Sequence, residues 1–259
     1  MLFRGILRIC NGAVSLAVTL ALVLCGSYGA YALWDNHQVL TSAADVQADL
    51  IKLKPPAEPE EGETDNSAAF AQLRSINPDV RGWITMDGTG IDLPVLQGAG
   101  NLTYISKDVY GNFSLAGSIF LDSRNEPDFS DAYSLLYGHH MADGKMFGDL
   151  DCYKEETFFR ENKTGMLILP DQTYELEVIA CLVVSASEKR IFAPEQVRCD
   201  IAALLDFARE TALCLREEAL AGAEKILALS TCASEFTDAR TVVLAGMKPV
   251  LPGEQEESQ

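Results

Sequence analysis

The sequence predicts a mainly β domain, a barrel or a sandwich, behind one membrane-spanning helix, and three observations carry that prediction. Eight short β-type runs lie between residues 82 and 247, parted by Gly, Asp, Asn or Pro. One helical stripe interrupts them. Ahead of all this stand 26 consecutive residues, Ile9 to Trp34, without Asp, Glu, Lys or Arg. A chain of 259 residues has room for one large or two small domains. With 48% hydrophobic residues, disorder over most of its length is excluded. Its 38 acidic against 20 basic side chains give a formal charge of −18, which repels phosphate backbones and excludes nucleic acid as a partner.

The N-terminal run is long enough to span a bilayer, since about 20 helical residues cross a hydrocarbon layer of ~30 Å. Arg4 and Arg8 precede it and Asp35 follows. That asymmetry places the N-terminus in the cytoplasm and everything after Trp34 outside the cell membrane. Residues 1–34 are therefore read as a cytoplasmic stub and signal anchor. A cleaved signal peptide is the competing reading, with Ala30-Tyr31-Ala32 as its processing site. Against it, the apolar run exceeds the usual core of about 7–15 residues. Bulky Leu24 before Cys25 argues against lipidation. Seven cysteines are an odd number, and the five beyond the anchor, Cys152, Cys181, Cys199, Cys214 and Cys232, show neither CxxC spacing nor a disulfide framework. Cys181 in an apolar run and Cys214 in a helical one read as small hydrophobes.

Residues 35–66 read as an extracytoplasmic linker, weakly helical to about residue 53. From Lys54 to Asn66 it is a Pro- and Glu-rich, stiff, solvated spacer. Asn66 or Ser67 caps a helix over 68–76, which Asn77-Pro78 stops. One domain is expected over 67–250. Its strands are Gly82–Met86, Ile91–Gln97, Gly117–Asp122, Tyr133–His139, Gly165–Pro170, Thr173–Ala186, Lys225–Cys232 and Arg240–Met247. One long helix is expected between the sixth and seventh. Val197, Ile201, Leu204, Leu205, Ala208, Ala212 and Leu215 recur at spacings of 3 and 4, and Pro194 suits its start. Residues 251–259 form an acidic tail, expected to be disordered.

Of three histidines, His37 is juxtamembrane, which leaves His139-His140 at the end of an apolar strand. Adjacent strand residues point to opposite faces, so only one of the pair can serve a given site. Gly138 before them permits a close backbone approach. Cys232 ends another apolar strand, and seven residues separate it from Arg240, which opens the next. In an antiparallel hairpin the two would sit side by side. That pairing suits thiol attack on a carbonyl, with a guanidinium holding the oxygen that becomes negative. Spacing alone leaves open the plainer alternative of a buried cysteine and a surface arginine paired with Asp238 or Glu235.

Leu229-Ser-Thr-Cys232 with Arg240 resembles the signature of sortases, the membrane-anchored cysteine transpeptidases of Gram-positive bacteria. Leu136-Tyr-Gly-His-His-Met-Ala-Asp-Gly-Lys-Met-Phe-Gly148 is similar to the histidine segment of their class B. So, in order and spacing, are Ile76-Asn-Pro-Asp-Val-Arg-Gly-Trp-Ile84, Gly90-Ile-Asp-Leu-Pro-Val95 and Gly117-Ser-Ile-Phe-Leu-Asp-Ser-Arg-Asn125. The match covers about residues 70–248. It implies a closed barrel of about eight strands, with an N-terminal helix and a long helix before the cysteine strand. It implies Cys232 as nucleophile, His139 as acid and base, and Arg240 as holder of the substrate oxygen. Ser230 and Asn101 match positions near the substrate groove, and Asp122 or Asp143 could lie near His139. No cofactor and no metal is implied. The implied partners are secreted proteins with a C-terminal sorting signal, cut after Thr, and the amine of a peptidoglycan precursor or a pilin. The missing Asp-Pro-aromatic lid motif favours wall anchoring over pilus assembly, although some class B members build pili. L,D-transpeptidases fit less well, because their Ser-x-Gly-Cys-x-Arg cluster is not present. A membrane-tethered binding module with an inert Cys232 is the non-enzymatic alternative.

Overall fold

No proline interrupts the Ala-, Leu- and Val-rich stretch from Leu2 to Leu50, and the chain stays helical throughout it. In the computed structural model, which describes residues 2–57, 65–232, 235 and 237–250, helix α1 runs Leu2–Leu50. Two compact units divide the chain, Met1–Ser42 and Ala43–Gln259. In the first, the apolar side chains from Val14 to Trp34 are exposed all round the helix, as lipid-facing residues are. Among the described residues one helix, over Asn11–Leu53, is long and apolar enough to cross a membrane.

The second unit starts earlier than the Ser67 expected. Leu50 is buried with Phe70, Leu73, Val80 and Trp83, and Gln47 Nε2 donates to the Gly90 carbonyl at 3.0 Å. Lys54 pairs with Asp92 at 3.0 Å, and Asp92 also accepts the Trp83 indole N–H. The spacer is docked at both described ends. The Ala57 carbonyl accepts Thr173 Oγ1, and buried Asn66 donates from its backbone N–H to the Pro170 carbonyl. Residues 58–64 and the expected tail 251–259 lie outside the described residues. Helix α2 (Ser67–Ile76) forms as expected, but the Asn66 side chain does not cap it; its amide is spent on the Pro56 carbonyl.

All eight expected strands form, with ends shifted by a few residues: β1 (Val80–Met86), β2 (Asp92–Leu96), β3 (Ile119–Leu121), β4 (Tyr133–Tyr137), β5 (Thr164–Ile168), β6 (Thr173–Ser185), β8 (Ile226–Cys232) and β9 (Ala239–Pro249). They run β5-β1-β2-β3-β4-β8-β9-β6, and β6 pairs back to β5, which closes the barrel. A short β7 (Cys214–Leu215) hangs on β6 beyond a bulge at Val178/Ala180. The β2–β3 and β4–β8 pairs are parallel and so need long crossovers. Alternation along the strands fills two regions. Leu136, Leu227, Leu229 and Val243 point into the barrel, while Tyr133, Leu135, Ile226, Ala228, Val242 and Leu244 point out under a helical cover.

That cover corrects the expected long helix. After α3 (Glu156–Glu161), the crossover contains α4 (Lys189–Phe192), α5 (Pro194–Val197), α6 (Ile201–Thr211) and α7 (Glu217–Ala221). Asp200 leaves the helical conformation and its carboxylate caps the Ala203 N–H at 3.0 Å, so a new helix starts there. Ala212 turns extended, and the Leu213 N–H donates to the Cys181 carbonyl, which diverts Cys214 and Leu215 into β7. The stripe of Val197, Leu204 and Ala208 is buried as predicted, but on two helices rather than one.

Candidate active site

Three neighbouring strands bring the expected site residues into one row. Cys232 and Arg240 are direct register partners across the antiparallel β8–β9 hairpin. On the other side of β8, Tyr137 pairs with Ser230, and the Gly138 N–H still donates to the Ser230 carbonyl at 3.1 Å. Two residues on, His139 comes level with Cys232. All three side chains share the outer face, since Leu135, Ala228 and Val242, at even spacing from them, also face outward. Their row ends an open groove of about 410 Å³ lined also by Asn101, Leu102, Ile105, Tyr137, Phe192 and Ser230.

Local sequence explains each placement. A Cβ on Gly138 would meet Phe147 ring carbons at 2.7 Å, so only glycine lets the chain pass the core on its way to His139. Gly117, at φ +61°, lets the β2–β3 connection close on the histidine; a Cβ there would lie 2.7 Å from the Ile105 oxygen. The Ile105 carbonyl stands 2.6 Å from His139 Nε2. A carbonyl only accepts, so Nε2 carries the proton of the neutral ring and Nδ1 is the nitrogen that gains or loses one.

His140 faces the other way. Its Nε2 lies 3.0 Å from Asp151 Oδ2, and Asp151 Oδ1 accepts the Thr241 hydroxyl at 2.6 Å and Lys154 Nζ at 2.9 Å. Burial pushes the Asp151 carboxyl up, but the Thr241 hydroxyl and the Lys154 ammonium outweigh it and hold it below the usual carboxylate range. Lys154 also pairs with Glu235, so Glu235 is not the partner of Arg240. Among the described residues Arg240 has no ion pair; one Nη1 donates to the Ala239 carbonyl at 2.9 Å, and the rest of the fork is uncommitted. Cys232 is exposed and carries a free thiol. The plainer alternative of a buried cysteine with a paired arginine is thus not what the fold builds.

Neither candidate acid attends His139 through a hydrogen bond. Asp122 is fully buried and accepts from the Arg124 fork at 2.7 and 2.9 Å, from Asn101 Nδ2 at 2.9 Å and from the Tyr137 hydroxyl at 3.0 Å. Asp143 sits in a left-handed turn at φ +56°. Asn101 lines the groove, and its amide is engaged at both ends, with Nδ2 donating to Asp122 and Oδ1 accepting the Ser123 N–H. Ser230 is 1% exposed, and its hydroxyl finds no hydrogen-bond partner among the described residues. An orphaned polar atom under a groove is available to a ligand. No local sequence pattern marks the groove's apolar wall: Tyr137 stacks on Phe192 at 6.4 Å, and Ile105 and Leu102 line the same groove. Burial, and next the Asp122 charge, push the Tyr137 phenol well up, so it stays a neutral donor.

A closed eight-stranded barrel with a cysteine at the rim of a peptide-sized groove defines a class of envelope-associated cysteine transpeptidases, and comparison with known proteins agrees. The family model for the sortase domain matches residues 84–248. Sortase B of Staphylococcus aureus is 30% identical over 178 residues, 68% of this chain and 73% of that protein. A class B sortase of Streptococcus pyogenes, involved in pilus biogenesis, is 37% identical in structure-based alignment with TM-score 0.63, covering 69% of this chain and 97% of the other. The substrate complex of S. aureus sortase B gives 27% identity and TM-score 0.64, with coverage of 82% and 94%. The chain belongs to the sortase family, in class B.

Proposed function

We propose that this sortase cleaves a C-terminal sorting signal after Thr and passes the acyl group to an amine of peptidoglycan, with Cys232, His139 and Arg240 as its catalytic residues. The register row that aligns the three on one face of the barrel supports this reading most directly. The Cys232 thiol passes its proton to His139 as its sulfur attacks the Thr carbonyl carbon, and Arg240 donates to the oxygen as it becomes negative. His139 gives its proton to the leaving amine, the C–N bond breaks, and a thioester remains on Cys232. The incoming amine then loses a proton to His139 and attacks the thioester, and His139 returns that proton to the departing sulfur, which restores the thiol. Ser230 Oγ, unpartnered below the groove, serves as a contact for the sorting peptide; Asn101, already engaged, shapes the wall.

Arg4 and Arg8 before the span and Asp35 after it support a cytoplasmic N-terminus and an extracytoplasmic barrel. A second reading, polymerisation of pilin subunits, draws support from the 37% identity to the S. pyogenes enzyme, higher than that to S. aureus sortase B. Incubation with quenched Asn-Pro-x-Thr-x and Leu- or Ser-Pro-x-Thr-Gly peptides, with mass spectrometry of the protein, tests both. Cleavage after Thr with a thioester on Cys232 is expected. Transfer to a peptidoglycan stem amine but not to a pilin lysine supports anchoring, and the reverse supports polymerisation. A folded, reduced sample that neither cuts nor is acylated overturns the assignment.

A further inference from the structure

Among the described residues of the second unit, seven large hydrophobic side chains are exposed, and five of them fall between residues 102 and 115. Leu102 and Ile105 are accounted for by the groove. Tyr110, Phe113 and Leu115, exposed by 43, 76 and 57%, are not. They ride on an ordered finger in the β2–β3 connection. Lys107 and Phe113 pair antiparallel, and Gly111 at φ +81° makes the turn. Asp108 is buried and its carboxylate accepts the Asn112 N–H at 2.8 Å. At the root, Val109 is buried and its carbonyl accepts Asn77 Nδ2 at 2.8 Å, while Ser118 Oγ donates to the Lys107 carbonyl. A segment this well tied could have turned its aromatic residues inward; instead it presents them, and such clusters mark interaction sites.

Charge and chain length identify the occupant. From Gly98 to Ser118 the only charged residues are Lys107 and Asp108, and Asp108 is buried, so the finger's exposed charge is one lysine on a chain of net charge −18. The finger's root packs against the end of α1, where Val46 and Leu50 line an apolar pocket with Val109 and Ala116. Only residues 35–42 join Trp34, the end of the apolar run, to Ala43. These residues are helical within α1, and at about 1.5 Å per residue they span about 14 Å. Tyr and Phe with a neighbouring Lys are the side chains that settle at the headgroup level of a bilayer.

We infer that the 107–115 finger seats Tyr110, Phe113 and Leu115 in the headgroup region of the membrane that α1 crosses, as a second contact besides the anchor. Because the same connection carries the Ile105 carbonyl that holds His139, this contact fixes the height of the groove above the lipid.

The inference rests on α1 as a membrane span, and one experiment separates the two. The full chain is reconstituted in phosphatidylcholine vesicles with and without brominated phosphatidylcholine. In the parent chain Trp34 reports the anchor, since Trp83 is buried. In a Trp34→Phe, Phe113→Trp chain the new tryptophan reports the finger, and Trp34→Phe, Leu213→Trp, with Leu213 beside β7, is the control. The expected result is a blue-shifted Phe113→Trp emission that falls as bromolipid is added, with the Leu213→Trp emission unaffected. Quenched Trp34 with unquenched Phe113→Trp overturns the finger and spares the anchor. A blue shift without bromolipid quenching means that protein, not lipid, covers the finger, and overturns it equally. Equal quenching at both engineered positions overturns it as well, and loss of quenching at Trp34 too overturns finger and anchor together.

Discussion

Cys232 and Arg240 stand directly opposite each other on β8 and β9, and the guanidinium has no carboxylate partner among the described residues. A planar fork in that place can follow an oxygen as it acquires charge, whereas an ammonium offers a point charge on a flexible stem. Arg240→Lys is therefore expected to lower kcat/KM for a cleaved sorting peptide by about 10²–10³, the usual effect of removing one oxyanion donor. Cys232→Ala is expected to abolish turnover. Thermal unfolding of both variants should match the parent, because neither side chain is in the core; turnover of Arg240→Lys near the parent value would show that the arginine does not hold the oxyanion.

His139 and His140 turn to different surroundings. His139 lines the groove and is held by the Ile105 carbonyl, while His140 is bound to Asp151 on the far side. His139→Ala should leave no measurable transpeptidation, and His140→Ala should keep most of it. A methanethiosulfonate reagent should still label Cys232 in both, as that thiol is exposed. Activity retained in His139→Ala and lost in His140→Ala would reverse the assignment.

How much of this was readable follows from which interactions are local. Alternating apolar runs closed by Gly, Asp and Pro marked all eight barrel strands, and the seven-residue gap from Cys232 to Arg240 put that pair at one hairpin mouth. The apolar stripe from Val197 to Leu215 looked continuous because periodicity carries no information about Asp200 capping a new helix, or about a β6 edge that draws in Cys214 and Leu215. Likewise residues 43–57 lack a strong local pattern; their order comes from burial of Leu50 beside Trp83 and from hydrogen bonds to Gly90 and Thr173, distant in sequence. The groove wall of Ile105, Tyr137 and Phe192 converges from the β2–β3 connection, the end of β4 and α4, which no spacing rule joins.

Gly117 tests whether the hold on His139 matters. Its φ of +61° disfavours any Cβ, and the new methyl would press on the Ile105 carbonyl at 2.7 Å and on the imidazole at 3.1 Å. Gly117→Ala should cost about 1–3 kcal/mol of stability through strain at a left-handed position. Its turnover should fall further than that loss explains, measured well below the variant's own Tm. Full turnover at that temperature would mean that the Ile105 contact does not position the ring.

Asp122 sets an acid limit on the groove. Burial pushes its carboxyl up, but the Arg124 fork, the Arg124 N–H and the Asn101 amide outweigh it and hold it below its ordinary value of 3.8. A carboxylate with a depressed folded pKa contributes stability that is fully present above the unfolded value and is lost as pH falls through the folded one. Removing it strips five donors of their acceptor, among them Tyr137 and Asn101 in the groove wall. At pH 7, Asp122→Asn should lose about 1.5–3 kcal/mol, the range for hydrogen bonds to a charged group, read from urea midpoints at constant m. As pH falls from about 5 through the unfolded value and on below 3.8, the parent should progressively lose this contribution while the variant, having none to lose, falls less, so the two curves draw together. Parallel curves over that window would show that the Asp122 charge is not what ties Arg124, Asn101 and Tyr137 together.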